Sequence, residues 1–200
     1  MAIALPAVPF LASYPQVVES ISTSRAGNKV VAMVEYADPY WRIDMRTNPL
    51  RAAERLAVEA FRDACRGGLT TVVYTPQHQC LPKAHWGDPT AAVLANGSLT
   101  TKSGYNITAA ATNGLVLSPG DLMSLTTGGY NWMARIVTGG TAASGAVSVT
   151  LNMPVPTYIE TGAVARFKAP RMNARMLPDT FTMPDELFPS ASFSLVEVPK

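Results

Sequence analysis

Three residues that could bind a metal ion lie close together in the chain: His78, Cys80 and His85. A thiolate and two imidazoles suit zinc, but a structural zinc site takes four ligands in a tetrahedron. No fourth ligand follows at a familiar spacing. We therefore expect no metal and no cofactor here, and we interpret the segment as a loop that packs His85 and Trp86 against a neighbouring subunit.

Other catalytic motifs are absent from the sequence. It contains neither the Gly-x-Ser-x-Gly turn of nucleophilic hydrolases nor the Gly-x-x-x-x-Gly-Lys-Ser/Thr loop that cradles phosphates. We name no catalytic residue and expect a protein that is not an enzyme.

One aromatic cluster could contact sugars. Tyr130 and Trp132 follow the Gly128-Gly129 pair, and Arg135 comes three residues later. Aromatic faces bind the apolar faces of sugars while polar groups nearby orient them. A glycan-stacking shelf is one interpretation of Tyr130, Trp132 and Arg135, and packing within a core or hairpin is the other.

The composition favours assembly over solution chemistry. Apolar residues make up 48% of the 200 residues and charged residues only 15%, against roughly 25% in ordinary globular proteins. A surface so poor in charge suits a subunit that buries its outside against copies of itself. The net charge of +2 comes from scattered residues, which argues against nucleic acid as a partner.

The chain also lacks features of membrane insertion and secretion. No apolar run approaches the roughly 18 residues that span a bilayer. The apolar start, residues 1–12, is broken by Pro6 and Pro9 and predicts an extended arm or edge strand that serves assembly. We interpret Cys65 and Cys80 as reduced thiols of a protein made in a cytoplasm.

The first part of the chain predicts strands around one helix. Residues 28–36 are rich in β-branched and apolar types, and residues 41–45 alternate apolar and charged, so we expect a hairpin that turns at Asp38-Pro39. Asn48 as a cap and Pro49 at the first turn predict an amphipathic helix over 49–66, which Gly67-Gly68 ends. The residues of this helix that we expect to face the core are Ala53, Leu56, Ala57, Ala60, Phe61, Ala64 and Cys65.

Short strands separated by glycine turns are predicted for the rest. A strand at 70–74 precedes an irregular loop at 75–97, and four strands follow at 107–112, 121–126, 132–138 and 146–152. We expect a small β-barrel at 97–157 inserted into a β-sandwich formed by 1–96 and 158–200. Within that second part, 163–168 and 192–198 predict strands and 169–189 a proline-rich loop, and the last strand should return to the first sheet.

Several segments together resemble the distal tail proteins and related minor tail proteins of siphophages. The matching segments are Trp41–Met45, Asn48–Leu50, Ala60–Phe61, Gly67–Leu69, Val72–Pro76, Leu117–Leu125, Ala134–Val137, Gly145–Leu151 and Ala191–Glu197. The resemblance implies a mainly β fold with one amphipathic helix: a β-sandwich-like ring domain and a small barrel of oligonucleotide/oligosaccharide-binding (OB-like) type.

The resemblance also implies a function. It suggests a structural virion protein at the tail tip of a long-tailed phage, made in the host cytoplasm, whose copies form a hexameric ring that joins the tail tube protein to the tail-tip hub protein. The candidate assembly or packing positions are Trp41, Pro49, Phe61, Gly67, Gly68, Tyr74 and Trp86. The alternatives are a carbohydrate-binding virion module and another head-tail or tail-completion ring.

Overall fold

A computed structural model describes residues 2–26 and 30–198, which form a mixed sheet, a helix and a closed barrel. The strands are β1 (Ile3–Ala4), β2 (Gln16–Ala26), β3 (Val30–Arg46), β4 (Val72–Tyr74), β5 (Gly97–Ser103), β6 (Asn106–Ala110), β7 (Val116–Leu117), β8 (Leu122–Thr127), β9 (Tyr130–Thr138), β10 (Gly140–Thr141), β11 (Ala146–Leu151), β12 (Val164–Arg166), β13 (Met172–Met176) and β14 (Ser192–Glu197). The one α-helix of the described residues, α1, is Ala52–Cys65. The prediction of a mainly β fold with one helix and a small barrel is confirmed.

The sheet has six strands in the order β1-β4-β13-β14-β3-β2. Alternation along β3 buries Trp41, Ile43 and Met45 on one face, as the sequence predicted, and leaves Arg42 and Asp44 exposed on the other. Because β14 pairs with both β3 and β13, the last strand returns to the first sheet as expected.

The predicted turn at Asp38-Pro39 is wrong. β3 continues through these residues and pairs with β2, a strand that the sequence analysis missed. The pairing of β2 with β3 is irregular here, because Val18 pairs with Tyr40 but Ser20 pairs with Ala37. Pro39, which has no N–H to donate, therefore lies in a bulge of β3. Residues 28 and 29 of the predicted strand lie outside the described part of the chain.

Helix α1 is shorter than predicted. Asn48 does not cap it: the Asn48 N–H donates to the Pro9 carbonyl at 2.9 Å, Leu50 is fully buried, and the helix begins only at Ala52. At the helix start the Glu54 carboxylate accepts a hydrogen bond from the Arg51 N–H at 2.8 Å. The Arg55 guanidinium and the Glu59 carboxylate, four residues apart on the helix, form an ion pair at 3.0 Å.

The N-terminal segment packs on the chain's own core. β1 lies at one edge of the sheet, parallel to β4, so the predicted edge strand is confirmed. Val8 and Phe10 are buried, and the Phe10 ring meets Phe193 edge-on at 6.2 Å. The expectation that this arm serves assembly is therefore wrong for Val8 and Phe10, which instead cover the sheet.

Six strands close the barrel in the order β11-β6-β5-β12-β8-β9. That is one strand more than the five of an OB-type barrel. The barrel extends to Arg166, beyond the expected boundary at 157, because β12 pairs with both β5 and β8 and closes it. The two-stranded β7-β10 pair lies outside the barrel ladder.

The expected proline-rich loop at 169–189 contains a strand. β13 lies between β4 and β14 in the sheet, and its residues Met172, Ala174 and Met176 are buried. Pro170 and Pro178 lie outside β13, so neither removes a donor from its ladder. Within the described ranges, no helix has the length and apolar character to cross a membrane.

Candidate assembly surface

The β2–β3 hairpin extends beyond the sheet as a two-stranded ribbon. β14 pairs with β3 only over residues 42–46, so residues 20–26 and 30–37 pair with each other alone. Described side chains at 21–24 and 33–35 are exposed on both faces of this ribbon. Met33 is 69% exposed and Val34 61%. An isolated two-stranded hairpin is marginally stable in water, so apolar residues displayed in this way favour a partner surface.

The ribbon also has unprotected backbone edges. β2 is the edge strand of the sheet, and its 11 residues contain no proline. Natural proteins usually prevent an edge strand from pairing with another chain by keeping it short, by a bulge, or by covering it. Here the one irregularity, between Val18 and Ile21, lies at the base of the ribbon and leaves the edge beyond it regular.

Helix α1 carries a second exposed apolar surface. Of its predicted core face only Phe61 and Cys65 are buried, joined by Val58. The other members are exposed: Ala53, Leu56, Ala57, Ala60 and Ala64. The prediction of the buried face is wrong by a rotation about the helix axis, because Val58 and Phe61 pack towards the sheet. We call the exposed set the helix stripe.

The helix stripe has apolar neighbours at one end. Arg55 reaches Asp185 at 3.4 Å, which places the segment after Pro184 beside the helix. Leu187 in that segment is 86% exposed and Phe188 58%. Small alanine side chains let another backbone approach closely, so the stripe suits packing against a second protein surface.

Three predicted assembly or packing residues lie in the core. Trp41 is fully buried, and its indole N–H donates to the Met133 carbonyl in β9 at 2.7 Å, joining sheet to barrel. Phe61 packs 5.6 Å from Phe193, and Tyr74 is buried in β4. Burial raises the pKa of Tyr74 to about 12. Trp41, Phe61 and Tyr74 therefore pack within the subunit and offer nothing to a neighbour.

The helix ends at Cys65, and its cap Arg66 already adopts the left-handed region, with φ of 50°, one residue before the predicted Gly67-Gly68 stop. Gly67 and Gly68 adopt φ of 64° and 93°, the left-handed region that favours glycine, and a Cβ on Gly68 would lie 2.4 Å from the Met176 carbonyl oxygen. Pro49 is exposed just before the helix. These three residues shape the chain around α1.

The loop after β4 is hydrogen-bonded to the segment 116–121. The His85 imidazole accepts a hydrogen bond from the Val116 N–H at 3.2 Å, and the Asp121 carboxylate accepts one from the Lys83 N–H at 2.9 Å. The expectation that His85 packs against a neighbour is wrong, since its imidazole accepts a hydrogen bond from β7 of its own chain. Trp86, however, is 62% exposed and remains available to a partner.

Among the described residues, no group of three metal-binding side chains is close enough to hold an ion. His78 and Cys80 therefore have no assembled site with His85 in this part of the chain. Burial raises the pKa of the Cys65 thiol to about 11, so that thiol stays protonated at neutral pH.

The predicted glycan residues do not form an open shelf. Trp132 is only 4% exposed. The Arg135 guanidinium lies 5.2 Å from the centroid of the Trp41 ring and donates to the Pro15 carbonyl at 3.0 Å. Tyr130 packs 6.2 Å from Tyr158. The alternative interpretation, packing between core elements, describes these residues.

A groove opens where the ribbon, the end of β14 and the barrel meet. We call it the junction groove; its volume is about 600 Å³. Its lining residues are Asp38, Pro39, Tyr40, Trp132, Met153, Pro154, Val155, Pro156, Thr157, Tyr158, Val196 and Glu197. Most of this lining is apolar or aromatic, and its two charged members are both acidic.

Glu197 is the unusual ionisable group of the junction groove. Burial raises the pKa of its carboxyl to about 7, and the hydrogen bond that it accepts from the Trp41 N–H, at 3.1 Å, offsets this only in part. Within the described chain, Glu197 forms no ion pair. Because the hydrogen bond to the Glu197 carboxylate offsets its burial only in part, a cation that enters the groove would stabilise its charged form.

Local sequence patterns did not indicate the ribbon, the helix stripe or the burial of Glu197. The Ser/Thr content of β2 hid the strand, because β2 has no core-facing apolar alternation beyond its base. Glu197 sits in an ordinary terminal strand pattern, and its burial arises only in the tertiary structure, where residues 153–158 line the same groove. No protein-family model and no curated protein matches this chain.

Proposed function

We propose that this protein is a structural subunit of a long-tailed bacteriophage and forms a ring at the distal end of the tail. The ring would join the tail tube protein to the tail-tip hub protein, with six copies as the expected number. The observation that carries the proposal is the exposed β2–β3 ribbon, which projects beyond the sheet with apolar residues on both faces.

The ribbon suits a contact between copies. In a ring, one surface of each subunit meets a different surface of the next, and the contact closes after a fixed number of copies. A projecting ribbon with a regular edge can add to a strand or lie across the neighbouring subunit. Burial of Met33 and Val34 in that contact would remove apolar surface from water.

The helix stripe supplies a second surface. Stable interfaces bury roughly 800 Å² on each partner, which is more than the ribbon's few apolar side chains offer. The exposed alanines and Leu56 of α1, with Leu187 and Phe188 nearby, extend the apolar surface available to neighbours. We assign this surface to contact with a second copy or with the hub.

Shortening the ribbon tests the proposal. Ile21 and Glu35 are register partners, so replacing residues 22–34 by Asn-Gly leaves a short hairpin closed by a favoured turn. We expect the native chain to sediment as a closed oligomer and the shortened variant as a monomer. Both should show the same thermal unfolding, because the described side chains among the removed residues, at 22–24, 33 and 34, are exposed.

A matched control separates ribbon contacts from general surface hydrophobicity. Val137 in β9 of the barrel is 53% exposed, comparable to Val34. We expect Val34→Lys to weaken the oligomer and Val137→Lys to leave it intact. A native chain that stays monomeric, or a shortened variant that still assembles, would contradict the ring. Gold-labelled antibody on phage particles should mark the tail end opposite the head.

The alternative of a carbohydrate-binding virion module has lost the residues that suggested it, since Trp132 is buried and Arg135 is held against Trp41. The alternative of another completion ring shares the assembly argument. The position of the antibody label distinguishes that alternative from a tail-tip ring.

A further inference from the structure

We propose that the junction groove is a receptor for an arginine side chain of a second copy of this chain. The inference rests on the proposed homo-oligomeric ring and names the chemistry of one of its contacts. Its elements are the aromatic and proline walls of the groove, the two carboxylates in it, and the position of the groove at the base of the ribbon.

The walls of the groove suit a flat cation. Tyr40 and Tyr158 contribute aromatic rings beside the largely buried Trp132, and Pro154 and Pro156 contribute rigid apolar surface. A guanidinium group is planar and weakly hydrated, so it stacks on aromatic rings with less desolvation than an ammonium group. The long methylene stem of arginine would fill the apolar part of the groove.

The charge of the groove selects the sign of its occupant. Asp38 and Glu197 are its charged lining residues, and among the described residues no lysine, arginine or histidine lines it. Asp38 is exposed at the rim, whereas Glu197 is partly buried and bonded to the Trp41 N–H. An anion would meet two carboxylates, but a guanidinium can bind the Glu197 carboxylate through two parallel N–H donors.

The chain itself carries suitable arginines. Arg46 on β3 and Arg175 on β13 are exposed and form no ion pair within the described residues. Both lie on the exposed face of the sheet that also carries Arg42 and Asp44. The cross-strand partner of Arg46 is Ser192 and that of Arg175 is Val196, and both partners are uncharged. A head-to-tail contact brings one face of a subunit against a different surface of the next, so an arginine-bearing face and an acidic groove are complementary.

The pH dependence of this contact follows from the groups that face Glu197. They are Asp38 and Tyr40 from β3 and Tyr158 from the segment before β12, with Arg135 beyond the Trp41 ring. Glu197 must be ionised to pair with arginine, and burial raises its pKa to about 7. Below that value, the affinity for a cation should fall by about tenfold for each pH unit.

Two measurements test the inference. The first titrates N-acetyl-arginine amide into the full-length chain, monitored by tryptophan fluorescence, at about pH 8.5 and about pH 5.5. We expect binding to weaken roughly 30-fold at the lower pH and to be lost in Glu197→Gln. Glu19→Gln, at an exposed acid in β2, is the matched control and should bind normally.

The second measurement compares self-association of the native chain and Glu197→Gln by sedimentation. We expect at least a tenfold weaker oligomer for Glu197→Gln, and the same defect for Arg46→Gln or Arg175→Gln. No binding of the arginine probe would overturn the site. Probe binding with unchanged self-association in Glu197→Gln would overturn the second copy as occupant. If the native chain is monomeric, the proposed ring is wrong. The titration with the arginine probe would still show whether the groove binds a guanidinium group.

Discussion

Glu197→Gln should stabilise the protein at alkaline pH, although it removes a charged group from a hydrogen bond. In the folded chain, burial raises the pKa of Glu197 to about 7, from 4.5 for an ordinary glutamate. The folded state therefore holds a proton that the unfolded chain has released between these values. The stability linked to Glu197 is complete below pH 4.5 and is lost as the pH rises through 7.

The magnitude follows from the same pKa values. Between about pH 5.5 and pH 7, at ~1.36 kcal/mol per unit, the loss is about 2 kcal/mol. Glu197 is partly exposed, so solvent screening lowers this to about 1 kcal/mol. The glutamine does not titrate and keeps an oxygen that can accept from the Trp41 N–H.

Urea unfolding at about pH 5.5 and about pH 8.5 measures the effect, with samples dilute enough to remain monomeric. Relative to the native chain, Glu197→Gln should gain about 1 kcal/mol in unfolding free energy at the higher pH compared with the lower. Glu19→Gln, at an exposed acid, should show no such change. Parallel pH profiles for the native chain and Glu197→Gln would refute the reasoning, because they would mean that burial does not perturb the carboxyl.

Two further predictions concern residues that the structure places in the core: Phe10 of the predicted arm, and Trp132, for which a glycan shelf was one of two interpretations. Phe10→Ala should lower the free energy of unfolding by roughly 3 kcal/mol, because the ring is buried against Phe193; chemical denaturation checks this, and an unchanged midpoint would return the arm to a role in assembly. Trp132→Ala should destabilise by roughly 3 to 5 kcal/mol in the same assay, and a variant as stable as the native chain would mean that Trp132 is not part of the core.

Local patterns in the sequence determined most of the elements. The alternation at 41–45, the amphipathic helix before Gly67-Gly68 and the last strand all follow from side-chain periodicity and backbone preference. The barrel was predictable because short strands separated by glycine turns recur over 97–152. Each of these features depends on residues close together in the chain.

The tertiary structure decided which faces are covered. The helix periodicity admitted several orientations, and the packing of Val58, Phe61 and Cys65 on the sheet selected the one that exposes the helix stripe. β13 was missed because a five-residue strand carries little periodicity, and pairing on both sides makes it a strand. The predicted strand at 163–168 forms as β12, but it closes the barrel instead of joining the sheet.

Sequence could not predict the junction groove. Trp132, Glu197 and the 153–158 segment are far apart in the chain and meet only because the barrel packs against the end of the sheet. The amino-acid sequence by itself determined a β-rich chain poor in surface charge. Which apolar residues stay exposed, and which carboxylate is buried, depended on long-range packing, because burial is a property of the folded surface and not of any local segment.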